Sequence, residues 1–346
     1  MSPPHSTARF FASSRALFAA AAEAAGARER CYQIAGHELL VRFAGSELVA
    51  RTDPALGAVR GTAASPDPEV TIEMWDSAAS GIPMPRPPWS PNDLKPLGLV
   101  GPYCDDRFHT AVDVHTASLS TFDAAARRAQ FWLHDARRMA YWQSASPLRL
   151  ILSWWANSVD MQLTHAAAVG SAGRAVLLVG GAGAGKSTTS LACLAAGLDF
   201  FGDDYCLVAV QPKPRVHGVY ATAKLQPAAL AMLPSNIGTV RNASRLRREK
   251  AILDLPAPAS RRLADGAAIT AIVAPCVTGR VALERISAGA SLRAMAPSTI
   301  FGLFGATSGS LRRLASLAAT VPGYRLELGA DVDRVVDAVT SLVRAA

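Results

Sequence analysis

Val176-Leu177-Leu178-Val179-Gly180-Gly181-Ala182-Gly183-Ala184-Gly185-Lys186-Ser187-Thr188 is the stretch on which the reading of the whole chain turns. Four apolar residues in a row, ended by glycine, read as a short buried strand. Residues 180–187 then fit the pattern Gly-x-x-x-x-Gly-Lys-Ser. The Ala- and Leu-rich residues 188–196 read as a helix, with Gly197 at its C-terminal stop. Glycines let backbone amides converge on phosphate oxygens with no Cβ in the way. The helix N-terminus behind them adds positive potential. Gly180, Gly181, Ala182, Gly183, Ala184, Gly185, Lys186, Ser187 and Thr188 are therefore the candidate ATP-binding residues. In this reading Lys186 reaches the β and γ phosphates, and the Ser187 hydroxyl is a ligand for Mg²⁺. The competing reading, an ordinary glycine-rich turn, leaves the strand before and the helix after as coincidence.

A second feature follows soon after the helix. Residues 198–201 begin another strand, and Gly202-Asp203-Asp204 comes directly behind it. Two adjacent acids at the end of an apolar strand are costly unless their charge is met. A Mg²⁺ ion beside nucleotide phosphates would meet it. One acid can hold metal, and Asp203 joins Ser187 as a candidate metal ligand; the other can accept a proton from an attacking hydroxyl. Alternate strand residues point to opposite faces, so the two need not share a role. Which is base and which binds metal stays open at this point, as does the plainer reading of a surface turn. His165 precedes the paired apolar runs 166–170 and 175–179; a lone histidine is more often structural than catalytic. Cys206 and Tyr205 read as core.

Outward from this centre the signals thin. Residues 1–30 are rich in Ala, Ser and Arg and read as an amphipathic helix or loose arm, without the clean apolar stretch of a signal peptide. Residues 31–42 and 69–75 read as strands, and 81–102, crowded with prolines, as irregular chain. Residues 108–119 read as further strands. Residues 123–138 have helical spacing through Ala126, Phe131 and Leu133, and Pro147 opens another helix running to about Val159. The expected organisation is an arm (1–30), an α+β domain (31–145) and a P-loop domain (146–346).

The chain has 346 residues, 50% hydrophobic and 18% charged, with a net charge of +8. That balance suits a polyanionic partner, but the arginines are scattered, with no interleaved aromatics and no nucleic-acid module, so nucleic acid is set aside. Five cysteines at no metal-ligand spacing suit a reducing cytoplasm. No apolar run approaches the length of a membrane span. The densest basic stretch holds Arg241, Arg245, Arg247, Arg248 and Lys250, which reads either as a solvated basic face or as a loop that closes over substrate.

Taken together, His165-Ala-Ala-Ala-Val169, residues 180–187, Gly197 and Asp203-Asp204 resemble the HPr kinase/phosphorylase family, in particular its HPr-kinase-related serine kinase branch. Tyr220-Ala-Thr-Ala-Lys224-Leu225, Glu249-Lys250, Ala296-Pro-Ser-Thr299 and Val321-Pro-Gly-Tyr-Arg-Leu326 resemble it too, so the likeness runs from about Pro147 to the C-terminus. The resemblance implies an α/β fold related to phosphoenolpyruvate carboxykinase, with the P-loop on a mixed sheet rather than the usual doubly wound parallel one. It implies transfer from ATP to a serine hydroxyl with Mg²⁺, and assembly into a homo-oligomer as an open option. It assigns metal binding and general base to the pair Asp203 and Asp204, and places His165 in the active site. Lys186 and Lys250 complete the candidate catalytic set. Nothing matches the segment with which the HPr enzymes dock HPr. The acceptor is left as a serine-containing peptide, a protein or a small metabolite. The alternative is an ATP-binding regulatory or maturation protein that transfers nothing.

Overall fold

Val176 to Val179 lie inside a strand buried on both faces, and the unit around them is built from that fact. The structure is a computed structural model that describes residues 4–62, 65–256, 266–303 and 308–345. The chain divides into two compact units, one running up to Ser158 and one from Val159 onward, with Ile34–Gly36 and Gly57–Val59 grouped with the second.

The first unit carries a six-stranded sheet. Its strands are β1 (Ala27–Ile34), β2 (His37–Ala44), β3 (Val70–Asp76), β4 (Phe108–Asp113), β5 (Ser118–Asp123) and β6 (Arg128–Leu133), in the order β1-β2-β3-β6-β5-β4. Helix α1 (Pro4–Ala25) is part of this unit rather than a loose arm. Its Phe10, Phe11, Phe18 and Ala21 are buried in one cluster with Trp75, Phe108 and Leu119. The short helices α2 (Glu47–Leu56), α3 (Ser77–Ser80) and α4 (Tyr141–Ala145) belong to the same unit, and residues 81–102 hold 3₁₀ turns and isolated β-bridges but no full strand or α-helix, in keeping with their prolines.

Two expectations are corrected here. The helix expected over 123–138 is instead a turn followed by β6 and a short 3₁₀ turn. Asp123 accepts the Ala126 N–H and opens the turn. β6 then sits between β3 and β5, and every residue from Ala129 to Leu133 is buried. A strand covered on both faces shows no alternation, and its apolar positions can be matched to helical spacing by accident. The boundary expected at 145/146 falls after Ser158, because helix α5 (Arg149–Ser158) packs with the first unit, where the Trp154 ring stacks on His109 at 5.3 Å.

The second unit holds a nine-stranded mixed sheet and a three-stranded one. The strands are β7 (Met161–Thr164), β8 (Ala166–Ser171), β9 (Arg174–Val179), β10 (Asp199–Gly202), β11 (Cys206–Ala209), β12 (Arg215–His217), β13 (Thr222–Leu225), β14 (Thr239–Val240), β15 (Ala251–Asp254), β16 (Ala267–Gly279), β17 (Ala282–Ile286) and β18 (Gly323–Gly329). The large sheet runs β10-β8-β9-β16-β12-β11-β7, with β18 also beside β16 and β17 beside β18; the small one runs β13-β15-β14. β9 is antiparallel to β8 and parallel to β16, so the sheet is mixed, as expected. The helices are α6 (Lys186–Ala195), α7 (Ala288–Ile300), α8 (Ser308–Thr320) and α9 (Val332–Arg344).

Period-two alternation sorts the core. Val176 and Leu178 face a cluster that includes Leu191 of α6, Leu253 of the small sheet and Val339 of α9. Ala175, Leu177 and Val179 face the opposite cluster, with Met295 of α7 and Leu314 and Leu317 of α8. Covered on both sides, β9 is held rigidly at the point where its chain enters the glycine loop. Among the described residues no helix is long and apolar enough to cross a membrane.

Leu177 is fully buried between β9 and the α7 and α8 layer. Leu177→Ala is expected to cost about 3 kcal/mol, read as a lowered urea midpoint. A loss below about 1 kcal/mol would show that this face can collapse around the missing side chain.

Candidate functional site

The loop between β9 and α6 has the backbone that its sequence demands. Gly180, Gly183 and Gly185 all have positive φ, at 140°, 81° and 101°. The positive φ of Gly185 favours glycine, and a Cβ there would also press on the tip of the Leu328 side chain, 2.2 Å from its Cδ1. Gly185 caps α6, which starts at Lys186 and turns its first amides toward the loop. Lys186 is only 6% exposed, and its ammonium donates to the Gly180 and Gly181 carbonyls at 2.7 and 3.1 Å. Burial holds its pKa below the usual lysine value; Asp203 and Asp204 oppose that shift, and the nearby Lys250 ammonium adds to it. The loop lysine, both acids and Lys250 are thus within electrostatic reach of one another.

The acids sit on a strained turn. The Tyr205 N–H donates to the Asp203 carbonyl at 2.8 Å, and Asp204 between them has φ of 65°. That is a γ-turn of the rarer, positive-φ kind. Strain of this sort persists where the surroundings over-determine it. Its effect here is to give neighbouring carboxylates different partners. Asp203, 2% exposed, accepts the Lys224 backbone N–H at Oδ2, at 2.9 Å. Asp204 pairs with the Lys224 ammonium and stands 3.7 Å from His165 Nε2. Lys224 therefore serves both acids, one with its backbone and one with its side chain.

The two carboxyls are driven apart in acidity. Burial, then the neighbouring Asp204 charge, raises the Asp203 pKa to about 6, against the pull of the Lys224 N–H and the Ser187 hydroxyl. Burial would raise Asp204 too, but the Lys224 ammonium and His165 more than offset it and hold that carboxyl far below the usual carboxylate range.

Several residues take clearer roles in the folded chain. The His165 backbone N–H donates to the Thr299 hydroxyl at 3.1 Å, and the His165 ring lies 5.5 Å from that of Tyr205. Thr299, fully buried on α7, thus anchors the histidine from 134 residues away, a link no local pattern could reveal. Tyr205 is core, as expected, but its ring also faces the Lys224 ammonium at 6.0 Å. Lys224, which stood in the sequence only within the segment Tyr220 to Leu225, is the hub of the acid pair. In the basic stretch, Arg241 is paired with Asp254 and Arg245 with Glu249, so both have local structural work. Arg247 and Arg248 are exposed. Cys193 and Cys206 are buried with raised pKa values, as small core residues are.

The Asp203 Oδ1 atom is a test for Mg²⁺. It is buried and among the described residues meets no hydrogen-bond donor, although the Ser187 hydroxyl is near enough to favour the ionised carboxyl. An orphaned carboxylate oxygen beside a hydroxyl suits a hard cation that takes one or two protein oxygens and fills its other positions with phosphate and water. No cluster of three or more His, Cys, Asp and Glu side chains capable of holding a metal occurs among the described residues. Ser187 and Asp203 fit the phosphate-assisted kind of site.

No protein-family model matches the chain, and no curated protein matches it.

Because folding raises the Asp203 pKa, the folded protein binds more protons than the unfolded chain between the usual carboxylate range and about pH 6. Stability is lost as pH rises through that window. Asp203→Asn removes the cost, so the nucleotide-free variant is expected to be more stable than wild type at pH 8, by about 1–2 kcal/mol. Thermal unfolding from pH 4 to 8 checks this; a variant less stable at pH 8 would mean that Asp203 is a structural acid.

Proposed function

We propose that the second unit is an ATP- and Mg²⁺-dependent kinase that moves the γ-phosphoryl group to a hydroxyl, serine first among the acceptors, on a peptide, a protein or a small metabolite. The observation that carries the proposal is the buried acid pair beside the glycine loop, with one carboxyl pushed up and its neighbour pushed down. Neighbouring titratable groups forced apart in this way mark a division of labour. The resemblance of the His165, glycine-loop, Asp203-Asp204 and Lys224 segments to HPr-kinase-related serine kinases supports the same reading.

In this mechanism the loop amides and the α6 N-terminus hold the β and γ phosphates. Lys186 exchanges its two carbonyl partners for phosphate oxygens. Ser187 and Asp203 hold Mg²⁺, which supplies neutralisation of the developing phosphate charge. Asp204 is kept ionised by Lys224 and His165, so at neutral pH it can accept a proton. The acceptor hydroxyl attacks the γ phosphorus, the bond from that phosphorus to the β–γ bridging oxygen breaks, and the hydroxyl proton passes to Asp204. A loose transition state makes that proton acidic late, so full ionisation of the base matters more than high basicity. His165, whose main chain is tied to Thr299, and Lys224 keep the carboxylate aimed.

The test uses γ-labelled ATP with Mg²⁺ and free serine, then a serine-containing peptide pool. Asp204→Asn is expected to cut label transfer by about 10²–10⁴-fold with ATP affinity nearly unchanged. ATP binding by the wild type with no transfer to any acceptor would favour the regulatory or maturation role.

A further inference from the structure

We propose that an apolar cavity beside the start of α6 holds the nucleobase of the bound nucleotide, and holds it by surface contact rather than by reading the edge of the base. The proposal rests on the kinase reading of the glycine loop. The cavity has a volume of 360 Å³, within the ~300–1,000 Å³ common for small-molecule sites. Gly185 and Thr188 of the phosphate loop and helix form part of its wall, with Met232, Val277, Leu328 and Ala330 opposite. The cavity therefore adjoins the end of the glycine loop.

The sheet order gives the nucleotide a direction. β9 delivers the loop between β8 on one side and β16 on the other. The acids follow β10, which lies beyond β8, whereas Val277 and Leu328 come from the paired strands β16 and β18. A phosphate chain lying across the loop then has its γ end at Asp203 and Asp204 and its nucleoside end toward β16 and β18. At that end the structure leaves Val277 68% and Met232 53% exposed. Apolar surface left open beside a polar loop marks a ligand face, and methionine adapts readily to a flat ring.

The cavity's chemistry limits what it can read. Among the described residues its polar side chains are the hydroxyls of Thr188 and Thr189, and none of those residues brings a charged or amide side chain to its wall. Sites that hydrogen-bond a ligand's polar edge reject analogues by ~10⁴–10⁵, whereas apolar pockets discriminate weakly. Adenine and guanine nucleotides should therefore bind with similar affinity.

Calorimetric titration of the full chain with Mg²⁺ and ATP, GTP or inorganic tripolyphosphate tests this. The comparison variant carries Met232→Ser and Val277→Asn, two exposed, charge-neutral changes. For the wild type the expected result is ATP and GTP within about tenfold of each other and both at least about tenfold tighter than tripolyphosphate. The variant should lose about tenfold or more for both nucleotides while keeping its tripolyphosphate affinity, which doubles as the control for folding. Equal binding of ATP and tripolyphosphate by the wild type, or an unchanged ATP affinity in the variant, overturns the base site and leaves the kinase reading standing. A preference for ATP over GTP beyond about 100-fold overturns contact-only recognition. Failure of ATP and tripolyphosphate alike to bind sinks the kinase reading and this inference with it.

Discussion

Two adjacent carboxylates in a protein interior must be compensated, and in this chain one residue serves both of them. Lys224 gives its backbone N–H to Asp203 and its ammonium to Asp204. That requires β13 to lie beside the Asp203 turn, and β13 is held in place by β15 and by the apolar contacts of Ala223 and Leu225 with the α6 side of the large sheet. The γ-turn at Asp204, the seat of His165 against Thr299 and the closeness of Lys250 to Lys186 all belong to the same neighbourhood of charge. Take Lys224 away and a buried anion loses its partner, a strongly destabilising change for a paired interior charge.

The compensation is uneven, and the unevenness is what makes the site chemically interesting. Asp204 is fully matched, while Asp203 keeps an orphaned oxygen and an elevated pKa. A fold selected for stability alone would not leave a buried carboxylate half-satisfied. A cation bound together with phosphates would complete it. The same logic applies across β9, where an open apolar cavity lies at the far end of the glycine loop. One end of the loop has a carboxylate oxygen without a partner among the described residues and the other has an open apolar cavity, which are the two needs a metal-bound nucleotide would meet.

The mixed sheet is the device that sets these ends apart. β9 has an antiparallel neighbour leading toward the acids and a parallel neighbour leading toward the cavity. Gly185 is where the two halves meet: its missing Cβ lets Leu328 of β18 approach the helix start. The loop is thus tied to the cavity side by packing and to the acid side by the charge on Lys186.

Much of this was legible in the sequence, because its causes are local. A glycine loop between an apolar run and a helix needs only neighbouring residues to define its backbone, and Gly180, Gly183 and Gly185 take the left-handed φ values that their identity permits. The acid pair was visible as an anomaly of charge after an apolar strand. β6 was not, since a strand covered on both faces loses the alternation that identifies it. Nor was the role of Lys224, the anchoring of His165 by Thr299, or the opposite drift of the two acidities. Those depend on which distant segments the sheet brings together and how much water they exclude, so sequence alone determined the loop and its acids, while tertiary structure decided their partners, their protonation and the cavity beside them.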